Sequence, residues 1–157
     1  MSEIPRVGLG FDVHPWAEGR ELRLGGVRFD AERGLAGHSD GDAVCHALAD
    51  ALLGAAALGD VGAHFPDTDP SVAGIAGPEL LAGALRLVTD SGLVPSSADL
   101  TVICEVPAIA PRRDEMRATL AGVLGLTVDR VSVKATRPEG LGLVGGGVGC
   151  LAVAVLT

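Results

Sequence analysis

Apolar and polar positions along the chain change period several times, and each change predicts an element. Residues 6–14 (RVGLGFDVH) open on an apolar stretch punctuated by glycine and predict a buried first strand. Residues 22–29 (LRLGGVRF) predict a short strand pair turning at Gly25 and Gly26. From Asp40 the period becomes helical. Val44, Leu48, Ala51, Leu52 and Ala55 fall on one face and predict a helix over 42–57, stopped at Gly59. Residues 60–77 are rich in Gly, Pro and Asp and predict a long loop, whose length itself points to function. Pro78 suits a first helical turn, so a second helix is predicted to run to Gly92. Residues 99–106 alternate as a strand, Pro111 opens a third helix that stops near Gly125, and 130–136 (RVSVKAT) predict another strand. Residues 148–156 form an apolar run predicted to be a strand buried on both faces. No repeat or linker divides the chain. The pattern predicts one domain over 1–157, of α+β class: an α/β sandwich in which one mixed sheet is covered by helices.

Composition narrows the picture. A chain of 157 residues with 48% apolar residues suits one sizeable core. Tyrosine is absent and glycine alone numbers 23, which predicts close backbone packing rather than an aromatic core. The net charge of −8 argues against nucleic-acid binding, which needs a basic face. It also means that a phosphate ligand would need cations to offset the protein's charge. Three cysteines without CxxC spacing fit a reducing compartment. No leader-like or membrane-spanning run is visible, so the expected location is cytoplasmic, with no membrane partner.

Candidate chemistry begins with the DxH spacing of Asp12 and His14. Residues i and i+2 of a strand share a face. On the following helix Asp42, His46 and Asp50 make a polar stripe among Ala and Leu. Asp12, His14 and His46 together would form a three-ligand site with an open fourth position, as in catalytic zinc centres, with Asp42 or Asp50 orienting the His46 ring. The bland alternative is a surface His14 and a hydrogen-bonded core His46. GHSDGD (37–42) offers backbone amides at a helix start, suited to an anion, or simply an N-cap. FPDTD (65–69) reads as either a DxD metal site or a solvated turn.

The motifs GFDVH (10–14), AGHSDGDAVCHALADALLGAAALGDVGAHFPDTDP (36–70) and VSVKAT (131–136) resemble the 2-C-methyl-D-erythritol 2,4-cyclodiphosphate synthase family, from Arg6 to the C-terminus. The resemblance implies a homotrimer with strands around a central axis and active sites at subunit interfaces. It implies conversion of 4-diphosphocytidyl-2-C-methyl-D-erythritol 2-phosphate to the cyclic diphosphate and CMP. It implies Zn2+ on Asp12, His14 and His46, and a second ion, Mg2+ or Mn2+, on Glu139.

Other positions carry over singly. His38 and Ser39 match a flexible stretch touching the 2-phosphate, with His38 as transition-state stabiliser. Val13, Asp60, Val61 and Gly62 match substrate contacts. Phe65, Pro66, Asp67, Thr68 and Asp69 match a segment near the methylerythritol, which favours substrate contact over metal for FPDTD. Cys104, Glu105, Val106, Pro107, Ala108, Ile109 and Ala110 match the loop that holds cytosine. Thr136 matches a phosphate contact, beside Pro138. The chain departs from the family at Arg137, which replaces a threonine at a second stabilising position, and at Ala108, where a lysine is common. Around the trimer axis Leu143 replaces an aromatic residue, Gly146 an arginine and Val148 a glutamate, while Val153 falls where another acid can occur. That pattern predicts an apolar axis without affinity for isoprenoid diphosphates. A scaffold without turnover and a zinc phosphoesterase are the competing functional classes, and the product formed separates all three.

Overall fold

The structure is a computed structural model and describes residues 4–142, 144 and 146–157. The chain runs β1 (Arg6–Ala17), β2 (Leu22–Leu24), β3 (Val27–Phe29), β4 (Gly34–Leu35), α1 (Ala43–Ala55), α2 (Val61–His64), α3 (Gly77–Asp90), β5 (Pro95–Ile103), α4 (Arg113–Leu124), β6 (Val131–Thr136) and β7 (Gly147–Leu156). Five strands form a mixed sheet in the order β4-β1-β7-β5-β6; only β5 and β6 pair in parallel, across the α4 crossover. β2 and β3 form a separate hairpin turning at Gly25 and Gly26, both at positive φ. Among the described residues, no helix is long and apolar enough to cross a membrane.

Small residues set the spacing of the two layers. A Cβ built on Gly8 would lie 1.9 Å from the Ala51 carbonyl oxygen, and one on Gly10 1.9 Å from that of Ala47. Helix α1 therefore rests directly on the backbone of β1. Ten of its thirteen residues are buried, including Ala43, Ala47, Ala51 and Ala55. This is the close backbone packing that the Ala and Gly content predicts. The cap of α1 is equally specific. The Asp42 carboxylate is fully buried and accepts hydrogen bonds from Val44 N, Cys45 N, Gly25 N and Gly26 N. One side chain thus caps a helix and ties the β2–β3 turn to it.

Several predicted boundaries shift. The 60–77 loop contains α2 and a short 3-10 turn at Pro70–Val72, each started by an aspartate side chain, Asp60 and Asp69. β5 lies earlier than expected because its pairing with β7 begins at Pro95↔Leu156 and ends at Ile103↔Gly149. β7 is not buried on both faces. Val148, Cys150, Ala152, Ala154 and Leu156 face the helices and are fully buried, while Leu151 is exposed on the other side. That outer side continues across β1, where Val7 and Leu9 are 65% and 67% exposed beside Phe11 and Val13. The helices cover one face of the sheet and leave an apolar face open.

Candidate metal centre and nucleotide cleft

The period-two rule places Asp12 and His14 on the inner side of β1, and α1 brings His46 against them. One ligand atom from each lies within 4.8 Å of the others, the sole such cluster among the described residues. The His14 and His46 rings meet edge to face at 5.3 Å between centroids. Each ring is oriented by a backbone carbonyl: His14 Nδ1 donates to Ala36 O and His46 Nδ1 to Asp42 O, both at 2.7 Å. A carbonyl only accepts, so each Nδ1 carries the proton and each Nε2 presents a lone pair.

The consequence is sharpest at His14. Its Nε2 lies 2.7 Å from Asp12 Oδ2, and both atoms are buried without a hydrogen-bond partner. Two lone-pair atoms face each other across a gap that suits a cation or a proton. Burial opposes charging of His14, but the Asp12 carboxylate outweighs it and holds the imidazole pKa above its ordinary 6.5. One carboxylate and two imidazole nitrogens are an N/N/O donor set of the catalytic zinc type, with room for a further ligand. The residues fit such an ion.

The expected orienting roles need correction. The His46 ring is fixed by the Asp42 main-chain carbonyl, because the Asp42 carboxylate is occupied by four amides. The Asp50 carboxylate accepts from Val61 N, the first residue of α2, at 3.0 Å instead. The amides at the start of α1 are likewise consumed by Asp42, so GHSDGD is an N-cap rather than an anion nest.

A cleft opens above the three ligands. Asp12, His14, His38, Ser39, His46, Val61, Gly62, Phe65, Pro66 and Asp67 all line it. Ser39 is buried, and its hydroxyl lies 3.2 Å from His46 Nε2 and accepts from Gly41 N. His38 is exposed, with Nε2 3.4 Å from Asp69 O. Three expected contacts stay outside this lining. Asp60 caps α2 through Ala63 N, Asp69 caps the turn through Ser71 N, and Thr68 is exposed between the cleft and that turn. Val13 points to the opposite face of the sheet, as alternation from Asp12 requires, so only its backbone is near the site.

A second, smaller cleft is lined by Cys104, Pro107, Ala108, Ile109, Ala110, Arg113, Ala135, Thr136 and Arg137. It shares no lining residue with the first. Arg113 and Arg137 line it, and no acidic residue is among its described lining residues. Burial pushes the Cys104 thiol up to about 11. Val106 lies instead beside Trp16 and Arg33, and Glu105 accepts from Gly140 N at 3.0 Å. Pro138 is buried, and Glu139 is exposed in a left-handed conformation with φ of 55°. Gly146 is exposed and its carbonyl accepts from Trp16 N; Leu143 lies outside the described residues. Val148 is fully buried under the helices and does not line the outer face where Val153 lies.

Arg113 and Arg20 are absent from the sequence-based site. Arg113 carries no motif, and its signal is a buried Nε without a partner. Arg20 follows the turn after β1 and carries no motif, yet its guanidinium donates to the carbonyls of Gly37 and Ser39.

Comparison with known proteins extends this geometry. The model of the YgbB family matches residues 5–157. The 2-C-methyl-D-erythritol 2,4-cyclodiphosphate synthase of Chloroherpeton thalassium is 50% identical over 150 residues, 96% of each chain. That of Salinibacter ruber is 51% identical over 152 residues, 97% of each chain. The bifunctional enzyme IspD/IspF of Novosphingobium aromaticivorans is 53% identical over 157 residues, which are 41% of its own length, so this chain spans less than half of that relative. Among solved structures, a 2C-methyl-D-erythritol-2,4-cyclodiphosphate synthase with bound CDP superposes with a TM-score of 0.90 at 39% identity, over 97% of this chain and 100% of that one. The IspF–CDP complex of Plasmodium falciparum gives 0.82 at 30% identity, over 97% and 95%.

Proposed function

The chain belongs to the YgbB family, and on that premise we propose that it converts 4-diphosphocytidyl-2-C-methyl-D-erythritol 2-phosphate to 2-C-methyl-D-erythritol 2,4-cyclodiphosphate and CMP, in the non-mevalonate isoprenoid pathway. The observation that carries this reading is the facing pair of unpartnered buried atoms, Asp12 Oδ2 and His14 Nε2, completed by His46 in a cleft beside His38 and Ser39.

Asp12, His14 and His46 would hold Zn2+ and Glu139 a Mg2+ or Mn2+, ions that supply Lewis-acid polarisation and neutralise phosphate charge. The rest of the work falls to the chain. Cys104 and Pro107 to Ala110 grip the cytosine end, with no aromatic side chain to stack on it. Thr136 and Arg137 contact the diphosphate, the guanidinium through charge-assisted hydrogen bonds. Val61, Gly62, Phe65, Pro66 and Asp67 enclose the methylerythritol end, on a wall shaped by the Asp60 and Asp69 caps. His38 and Ser39 receive the 2-phosphate. An oxygen of that phosphate bonds to the β-phosphorus. The bond from that phosphorus to the bridging oxygen breaks, and its electron pair leaves with CMP. The reaction is intramolecular, so holding the substrate folded supplies much of the acceleration.

The single domain acts as a homotrimer in this reading. Two observations support shared sites: the metal and nucleotide clefts of one chain have no lining residue in common, and the outer sheet face presents Val7, Leu9, Phe11, Val13 and Leu151 to be covered. Incubation of the purified protein with substrate and Mg2+, followed by 31P NMR, tests the activity. Cyclic diphosphate and CMP in equal amounts are expected. Linear hydrolysis products, or no reaction, would overturn the proposal.

A further inference from the structure

The tripeptide Gly37–His38–Ser39 is held from two sides. On one side Arg20 donates to the Gly37 carbonyl at 2.8 Å and to the Ser39 carbonyl. On the other, the His38 carbonyl accepts from Gly74 N at 2.7 Å, and Asp40 N donates to Ile75 O at 3.1 Å. The Gly37 and Ser39 carbonyls turn toward Arg20 and the His38 carbonyl between them turns toward Gly74, across a bend over residues 37–39. The His38 side chain lines the metal cleft, with its Nε2 3.4 Å from Asp69 O.

The fold brings Arg20 to this place deliberately in sequence terms. Arg20 follows the turn after β1, and β1 pairs with β4 through Trp16↔Leu35 and Ala17↔Gly34. A Cβ on Gly34 would meet Glu21 O at 2.3 Å and Arg20 O at 2.8 Å, so only glycine lets the Arg20 backbone approach so closely. The segment after β4 then passes within reach of the guanidinium. Among the described residues Arg20 makes no ion pair with a carboxylate, so its charge is directed at main-chain oxygens.

We propose that Arg20 is a positioning residue for the proposed cyclisation: it clamps the two carbonyls that flank His38 and so fixes that imidazole relative to Asp12, His14 and His46. This rests on the reading of His38 as a charge-stabilising group. Arg20 does not line the metal cleft. Its removal should therefore spare zinc content and KM while lowering kcat.

The test uses R20A and R20K with two readouts. Zinc stoichiometry and KM of R20A should match the parent protein, and kcat should fall about tenfold or more, since small misplacement of a reacting group costs that much. R20K, with one compact donor, should lie between. Hydrogen exchange at the Gly74 amide, which donates to His38 O, and at the Asp40 amide, which ties the end of the segment to Ile75 O, should speed up about tenfold in R20A. Unchanged exchange at both amides overturns the clamp whether or not the parent protein cyclises its substrate. Unchanged kcat in a cyclising protein overturns the positioning role. A parent protein without cyclase activity defeats the functional reading instead, and the exchange arm still decides the clamp.

Discussion

Gly10 and Ala47 touch through main-chain atoms alone: a Cβ on Gly10 would sit 1.9 Å from the Ala47 carbonyl oxygen. His46 precedes Ala47 and Asp12 follows Gly10 by two, so this contact sets the distance between the strand ligands and the helix ligand. Gly10→Ala must push α1 outward. The expected result is a loss of about 3 kcal/mol in stability, measured by urea unfolding, together with weakened zinc binding. Zinc retained at parent affinity would mean that the layers adjust elsewhere.

His46→Ala should abolish stoichiometric zinc, measured by metal analysis after dialysis. The pH dependence follows from His14. Its pKa in the metal-free protein stands above 6.5, so the proton competes with metal already above that pH. Affinity should be constant at higher pH and fall as pH decreases, by about tenfold per unit for each proton displaced. The fall should begin above pH 6.5, higher than an unperturbed histidine would give.

Glu139 holds a left-handed conformation, φ 55°, that favours glycine. Its identity therefore serves something other than the local backbone. Glu139→Gly should leave thermal stability equal or higher, while Glu139→Gln and Glu139→Gly both lose most turnover and keep zinc. Normal turnover of Glu139→Gln at limiting Mg2+ would remove it from the second metal site. Arg137→Ala should lower the rate and leave zinc content alone.

Cys104 borders the smaller cleft but should be inert. Burial raises its thiol to about 11, and the nearby Arg137 only partly offsets this. At pH 8 about one thiol in a thousand is ionised. Iodoacetamide at that pH should leave Cys104 unmodified by mass spectrometry in the folded protein, as it should the fully buried Cys45 and Cys150. Rapid alkylation of Cys104 would show that the cleft opens to solvent.

The sequence alone determined what depends on local period. Alternation put Asp12 and His14 on one face of a strand, and helical spacing put His46 on an otherwise Ala and Leu helix. The glycines of β1 and the alanines of α1 announced close packing because they have no bulk to hold layers apart. Tertiary structure decided every relation between segments far apart in the chain. It gave the Asp42 carboxylate to the Gly25–Gly26 turn, so that the Asp42 carbonyl orients His46. It aimed Arg20 at the backbone around His38, and separated the cleft over Asp12, His14 and His46 from the cleft beside Cys104 and Arg137. It turned one face of β7 outward, because helices cover only one side of the sheet. The physical reason is the same in each case. A side chain's period fixes the direction in which it points, but its partner is set by strand register and layer packing, which join residues that no local pattern connects.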